Sequence, residues 1–352
     1  MELTKEDNQM AKGVAIFGMV MLHLFCRGGV LPYEPQIYVG GTPVIYYLGL
    51  FGDLCVPTFC FCSGYAQLVL RKKEQHTYFQ QNLIRLAKFL LNYWVVLITF
   101  SVIGLFFDKS GHIPGSAASF FGNFFLIRIS YNGAWWFVLT YIILIALSPM
   151  IAKAVQCFPP QLIFLGSGFV YFISYLLRFV YVVEISNAAL AWCYTQVCLL
   201  GTSQFPFVLG MQFQKHQIIS ELRTVPVSTL FRNIVCILIP VAMFLLHSVE
   251  ESLIVAPITG LSTIVCFHIM NKPKVLCKAT YFLGKHSTNI WLVHMFFYLT
   301  LFKDFVFIAK YPLLILLFML VICIVVSYGI NLIYQPAVKL LLRKVLVCQQ
   351  SV

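Results

Sequence analysis

Charge is what this sequence has least of. Only 10% of its 352 residues are Asp, Glu, Lys or Arg, and the acids among them number 12. A soluble domain covers itself with about a quarter charged residues, so a water-facing globular or multidomain architecture is excluded. Polar linkers are missing too. The longest gap between apolar runs, 108–133, is itself rich in aromatics ("SFFGNFFLI") and reads as an interfacial or re-entrant piece. Metal-type Cys/His spacing is absent: Cys60 and Cys62 stand two apart and would point in different directions from a helix. Most of the 12 cysteines fall inside apolar runs, where they serve as small apolar packers rather than a disulfide framework. A cleavable leader is not expected, because Glu2, Glu6 and Asp7 precede the first apolar run and no small-x-small site follows it.

What the chain does have is 60% hydrophobic and 16% aromatic residues. That composition predicts an all-α polytopic membrane protein, since only segments that satisfy their own backbone can cross ~30 Å of hydrocarbon. Ten stretches of the required kind are read at 10–26, 44–70, 84–107, 134–152, 161–181, 188–213, 230–248, 252–270, 285–302 and 312–334, forming one domain over 1–352. With the N-terminus inside, eighteen cations fall on the cytoplasmic side and six outside (Arg27, Lys109, Arg128, Arg178, Lys303 and Lys310). Lys and Arg are retained on that side, so both termini are expected in the cytoplasm and the protein in the cell membrane. The net charge of +12 then needs no nucleic-acid partner; topology and anionic headgroups account for most of it.

Ionisable residues inside a bilayer are costly and mark sites. In "KGVAIFGMVMLHLF", Lys12 and His23 lie eleven residues apart, almost three turns, so they share one helix face ~16 Å apart along the axis. His23 therefore falls in the outer half of the bilayer, either as a functional base or as a packing histidine. His294 stands nine residues above Lys285 in "KHSTNIWLVHMFF", ~13 Å into the membrane. Two histidines at similar depth suggest one polar cavity. Asp53 enters the outer half of the second stretch, where it either orients His23 or is a shallow, wetted carboxylate. At the inner end of the third, Arg85 and Lys88 stand at i and i+3 on one face, a phosphate-binding arrangement at a helix N-terminus or ordinary anchors.

These segments resemble the acyltransferase-3 family of bacterial integral-membrane O-acyltransferases. "KGVAIFGMVMLH" is similar to its basic-x10-His first helix, "CVPTFCFCSGY" to its aromatic second helix ending in Ser-Gly, and "RLAKFLLNYWVV" to its Arg-x-x-Arg/Lys segment. "NGAWWFVLTYIILIALSPMI" and "FLGKHSTNIWLVHMFF" resemble two further family blocks, and all five come in family order from residue 12 to about 302. The resemblance implies a cytosolic acyl-CoA donor, with acetyl as the family default, and a hydroxyl of an extracytoplasmic glycan or envelope polymer as acceptor. It implies that His23 is the catalytic histidine, with Lys12, Arg85 and Lys88 on the donor side. Many members carry an acid shortly before the first basic residue; here Asn8 and Gln9 occupy that neighbourhood.

On this reading the catalytic residues are His23 and Asp53. Asn132, Trp135, Trp136 and His294 face the acceptor, the tryptophans otherwise forming an interfacial belt. No permanently bound cofactor or metal is expected, acyl-CoA being a substrate. A proton-coupled secondary transporter, or an export partner of an envelope polysaccharide system, also uses buried His and Asp, but no internal repeat of the kind such transporters carry is visible.

Overall fold

The computed structural model describes residues 3–26, 31–73 and 76–350, with side chains to 343. Glu2, Arg27 and the side chain of Lys344, used above as charges, lie outside the described residues. The chain is 81% helical, and a two-residue hairpin, β1 (Tyr38–Val39) with β2 (Thr42–Pro43), is the only sheet among the described residues. The helices are α1 (Lys5–Phe25), α2 (Val44–Leu50), α3 (Cys55–Lys73), α4 (Tyr78–Phe107), α5 (Ala117–Phe124), α6 (Trp136–Cys157) and α7 (Pro160–Tyr175). They continue as α8 (Ala188–Lys215), α9 (Ile218–Thr224), α10 (Thr229–Val249), α11 (Ala256–Ile269), α12 (Lys274–Tyr298), α13 (Lys303–Phe307) and α14 (Pro312–Gln350).

Each of the ten apolar stretches centres on helical backbone, with 285–302 running four residues past the end of α12. Six helical segments are long and apolar enough to cross a membrane: Val44–Lys73, Tyr78–Phe107, Gly133–Cys157, Pro160–Val180, Thr229–Val249 and Pro312–Arg343. The stretches in α1, α8 and α12 carry more polar residues, and that in α11 belongs to a shorter apolar helix, Leu253–Ile269. Inside the aromatic gap, α5 is capped by Ser116 and fastened to α4 by Tyr93 and Trp94, which donate to the carbonyls of Asn123 (2.6 Å) and Phe124 (3.1 Å).

The described residues fall into two compact units that interleave along the chain. The first draws on Met1–Val30, Pro35–Tyr78 and Thr140–Ser287; the second on Leu31–Glu34, Phe79–Leu139 and Thr288–Val352. Because three helices run from one unit into the other, no linker marks the division in the sequence.

In the first unit α1 starts with a capping box, Thr4 Oγ1 accepting from the Asp7 N–H and Asp7 Oδ2 from the Thr4 N–H, each at 3.0 Å. Two close backbone approaches then hold it. A Cβ on Gly13 would lie 1.8 Å from the Thr280 carbonyl oxygen, and one on Gly52 would lie 2.0 Å from that of Gly18. Glycine at 13 and 52 is thus required by contact distance, and α1 is held near both Lys12 and His23.

Cations at one end of this unit are bonded to helix carbonyls. Lys215 donates to the Val155 carbonyl in the last turn of α6 and Arg71 to that of Pro149, about two turns earlier in the same helix, both at 2.8 Å. Arg223 and Lys272 serve the His268 and Phe267 carbonyls at the end of α11. Basic residues stabilise the unpaired carbonyls and negative dipole of a helix C-terminus. These residues therefore have a structural use beyond the headgroup anchoring expected from their positions.

Candidate active site

The first unit holds Lys12, His23 and Asp53. Lys12 and His23 are half-buried on α1. The helix end bearing His23 rests on the α2–α3 junction: a Cβ on Gly49 would touch Met21 and Cys26, and one on Gly52 would touch Leu22 as well as Gly18. Asp53 follows Gly52 directly, in the 3-10 turn Phe51–Leu54, and is only 5% exposed.

The histidine that holds Asp53 is not the expected one. Asp53 Oδ2 lies 2.7 Å from Nε2 of His247 on α10, and His247 Nδ1 lies 2.9 Å from the Glu250 carbonyl. Asp53 Oδ1 is buried without a hydrogen-bond partner among the described residues. The partner expected in His23 is thus supplied by His247, because the C-terminal end of α10 packs on the turn that carries the acid. Sequence reasoning passed over His247, although the same depth argument that picked out His23 and His294 applies to it: it too stands near the end of an apolar stretch that the cation count would run outward. Close by, Tyr46 donates to Glu251 at 2.8 Å, so this end of the unit carries acids and hydroxyls where the opposite end carries cations.

The second unit holds Arg85, Lys88, Asn132, Trp135, Trp136 and His294. Arg85, exposed, and Lys88, half-buried, stand seven and ten residues past Tyr78, the first residue of α4, so the pair does not sit at the helix N-terminus expected for it and lacks the free N–H groups of that end. Asn132 and Trp135 do not form an open sugar-stacking surface or a belt. Trp135 is 0% exposed, edge-on to Tyr93 with ring centres 4.9 Å apart, and its indole N–H donates to the Leu292 carbonyl at 3.0 Å. Asn132 Nδ2 donates to the same carbonyl at 2.9 Å while its Oδ1 caps the turn at the Ala134 N–H. Trp291 returns a bond to the Ala134 carbonyl at 3.0 Å. Together these bonds lace the Asn132–Trp135 turn to α12. Of the three residues assigned to the acceptor on this turn, Trp136 alone keeps a partly open side chain.

That lacing sets His294. Its Nδ1 lies 2.7 Å from the Trp291 carbonyl, and its ring stacks on Tyr298 at 5.7 Å, itself being 0% exposed. A carbonyl only accepts, so Nδ1 carries the proton and Nε2 is the basic nitrogen. A buried amide chain, also missed from sequence, runs alongside in the same unit. Asn92 donates to Asn289 Oδ1 at 2.7 Å, and Asn289 donates to Ser327 Oγ at 2.9 Å. The asparagines were visible in the apolar runs, but which helices they joined was not.

A helical membrane protein with imidazoles buried in apolar helices fits a membrane enzyme or a carrier. The family comparison separates these. The family model described as "Acyltransferase domain" (acyltransferase-3) matches residues 9–332, and the chain belongs to that family. No curated protein and no solved structure matches it. The protein is a membrane acyltransferase, which sets aside the transporter and export alternatives as the main reading.

Proposed function

We propose that the protein is a membrane O-acyltransferase that passes an acyl group, acetyl by family default, from cytosolic acyl-CoA to a hydroxyl of an extracytoplasmic glycan or envelope polymer. The observation that carries this reading is α1. One helix presents a cation and an imidazole on the same face, ~16 Å apart, and backbone-to-backbone packing at Gly13 and Gly52 holds it near both.

In the reaction, the neutral His23 imidazole accepts the proton of the acceptor hydroxyl as that oxygen attacks the thioester carbonyl carbon. The new C–O bond forms, the C–S bond breaks, and the departing CoA thiolate takes the proton back from the imidazolium. Lys12, Arg85 and Lys88 serve the anionic donor. Asp53, oriented by His247, lends its unbonded Oδ1 to the hydroxyl-bearing acceptor. In the second unit, His294, through Nε2, and Trp136 are the residues assigned to acceptor binding, while Asn132 and Trp135 position the helix that carries His294. The membrane in question is the cell membrane, with both termini cytoplasmic.

The test compares purified wild type and His23→Ala for thermal stability, acyl-CoA affinity and CoA thiol release with acceptor present. Loss of a general base costs about 10²–10⁴-fold in rate, with folding and donor affinity retained. Near-normal turnover in well-folded His23→Ala would make the histidine a packing residue and pass the base to His294.

A further inference from the structure

The last turn of α11, "VCFHIMNKP", ends in an imidazole surrounded by charge. His268 is 2% exposed, and among the described residues neither of its ring nitrogens has a hydrogen-bond partner. Its own carbonyl accepts from Arg223 Nε at 3.3 Å and Nη2 at 3.1 Å, so the guanidinium of α9 is held at the same turn. Lys272, four residues on, folds back with its ammonium on the Phe267 and Met270 carbonyls. From α1, Asp7 Oδ1 reaches Arg223 at 3.6 Å. Asp7 from α1, Arg223 from α9 and Lys272 from the segment after α11 are the charged groups that act on the ring; α3, α8 and α10, which also pack on α11, bring none. All lie in the first unit, at its cation-bearing end.

A neutral imidazole has one donor and one acceptor, and burying both unmet is unfavourable unless a ligand meets them. Packing does not explain an imidazole here, since a leucine would fill the turn without leaving two polar atoms unpaired. An anion would explain it. Its oxygens take the ring N–H, and the second nitrogen, once protonated, becomes a second donor with no acceptor left over. The Arg223 fork and the Lys272 ammonium supply the charge that a phosphate ester requires. Asp7, at 3.6 Å from the guanidinium, is the anion already competing for it.

We infer that His268, Arg223 and Lys272 form a phosphate-binding site at the basic end of the first unit, with Asp7 as an internal competitor and a proton taken up by His268 when the phosphate enters. The ligand's source is the phosphates of the CoA donor or the headgroup of an anionic lipid of the inner leaflet. Only the first of these rests on the function proposed above.

The full chain in nanodiscs of zwitterionic lipid is titrated with CoA by calorimetry, in two buffers of different ionisation enthalpy so that protons taken up are counted. CoA affinity should fall about tenfold or more in Arg223→Gln and in Lys272→Gln and rise several-fold in Asp7→Asn. Proton uptake should vanish in His268→Gln, which keeps a donor and an acceptor. The opposite sign for Asp7→Asn is what a merely structural role would not produce, and melting temperatures identify any variant that misfolds. 3′-Dephospho-CoA tells which phosphate is read. Retention of an anionic phospholipid that depends on Arg223 and Lys272, with CoA failing to bind even wild type, would keep the site as a headgroup site and sink the donor reading instead. CoA binding of unchanged affinity and proton count in all four variants, with no such lipid dependence, would overturn the inference.

Discussion

Nε2 of His247 and Oδ2 of Asp53 lie 2.7 Å apart, and Nδ1 of the same ring lies 2.9 Å from the Glu250 carbonyl. Because the carbonyl only accepts, Nδ1 carries a hydrogen, and one further proton lies between Nε2 and Oδ2. Wherever that proton sits, on the ring or on the acid, the pair is neutral as a whole. That is how an aspartate can be buried at the α2–α3 junction without a cation.

Removing the acid outright should therefore be far worse than making it an amide. Asp53→Ala leaves Nε2 buried without a partner, though Nδ1 keeps the Glu250 carbonyl, and should cost about 3 kcal/mol. Asp53→Asn keeps a donor for Nε2 and should cost about 1 kcal/mol. Thermal unfolding in detergent measures both. Equal losses would mean that the carboxylate charge, rather than the hydrogen bond, holds the pair.

The proposed membrane orientation rests on the cation count. A cysteine at position 76, in a background without the exposed Cys157 and Cys193, should react with an impermeant thiol reagent only from the cytoplasmic face. One at position 112 should react only from outside. Labelling of position 76 in intact cells contradicts the topology.

Arg85 is exposed about two turns into α4 and half-buried Lys88 follows on the same face. A charge-assisted phosphate bond contributes about 1.5–3 kcal/mol, so Arg85→Ala should raise KM for acyl-CoA by roughly tenfold or more and leave KM for the acceptor nearly unchanged. If neither constant moves, Arg85 is a membrane anchor.

The adjacent tryptophans should behave differently. Trp135→Ala empties a fully enclosed site and should cost about 3–5 kcal/mol, and Trp135→Phe, which removes the bond to the Leu292 carbonyl, about 1 kcal/mol. Trp136→Ala should be mild in stability and raise the acceptor KM. A Trp136 variant with unaltered acceptor kinetics would remove it from the acceptor side.

Just past α4, Asp108 accepts from Ser110 Oγ (2.6 Å), Ser110 N–H (2.9 Å) and Ile113 N–H (2.7 Å). Slight burial favours its neutral form, but the Ser110 hydroxyl and these backbone donors outweigh that and hold the carboxyl below its ordinary value. A lowered folded value means that the loop's stabilisation is full above the unfolded carboxylate range and is lost as pH falls through the folded value. Hydrogen exchange of the Ile113 amide should accelerate on acidification in wild type beyond its intrinsic pH dependence. In Asp108→Asn that excess should disappear; its persistence would show that another group controls the loop.

The ten apolar stretches and the all-helical class were legible because hydrocarbon demands runs of about 20 apolar residues, a property local in sequence. Lys12 with His23 was legible for the same reason: a shared helix face follows from spacing alone. His247 was equally visible as a buried histidine, yet its partner was not, because Asp53 comes from a turn 194 residues away. Asn132 and Trp135 misled for the opposite reason. An aromatic beside a polar residue at a helix start reads as an open rim, and only the approach of the Leu292 carbonyl turns both into fasteners.

The sequence alone thus determined the solvent this chain lives in, the helices that solvent imposes, the family it belongs to and the face of α1 on which the chemistry is proposed. Those follow from periodicity, length and local motif, which involve residues near one another in the chain. The tertiary structure decided which buried polar groups satisfy which. His247 went to Asp53, His294 to the Trp291 carbonyl, Asn92 to Asn289, and Lys215 and Arg223 to the ends of α6 and α11. In an apolar interior each polar group must find a partner, but the partner is chosen by the packing of distant helices, down to contacts as close as Gly18 on Gly52, and no local pattern encodes that choice.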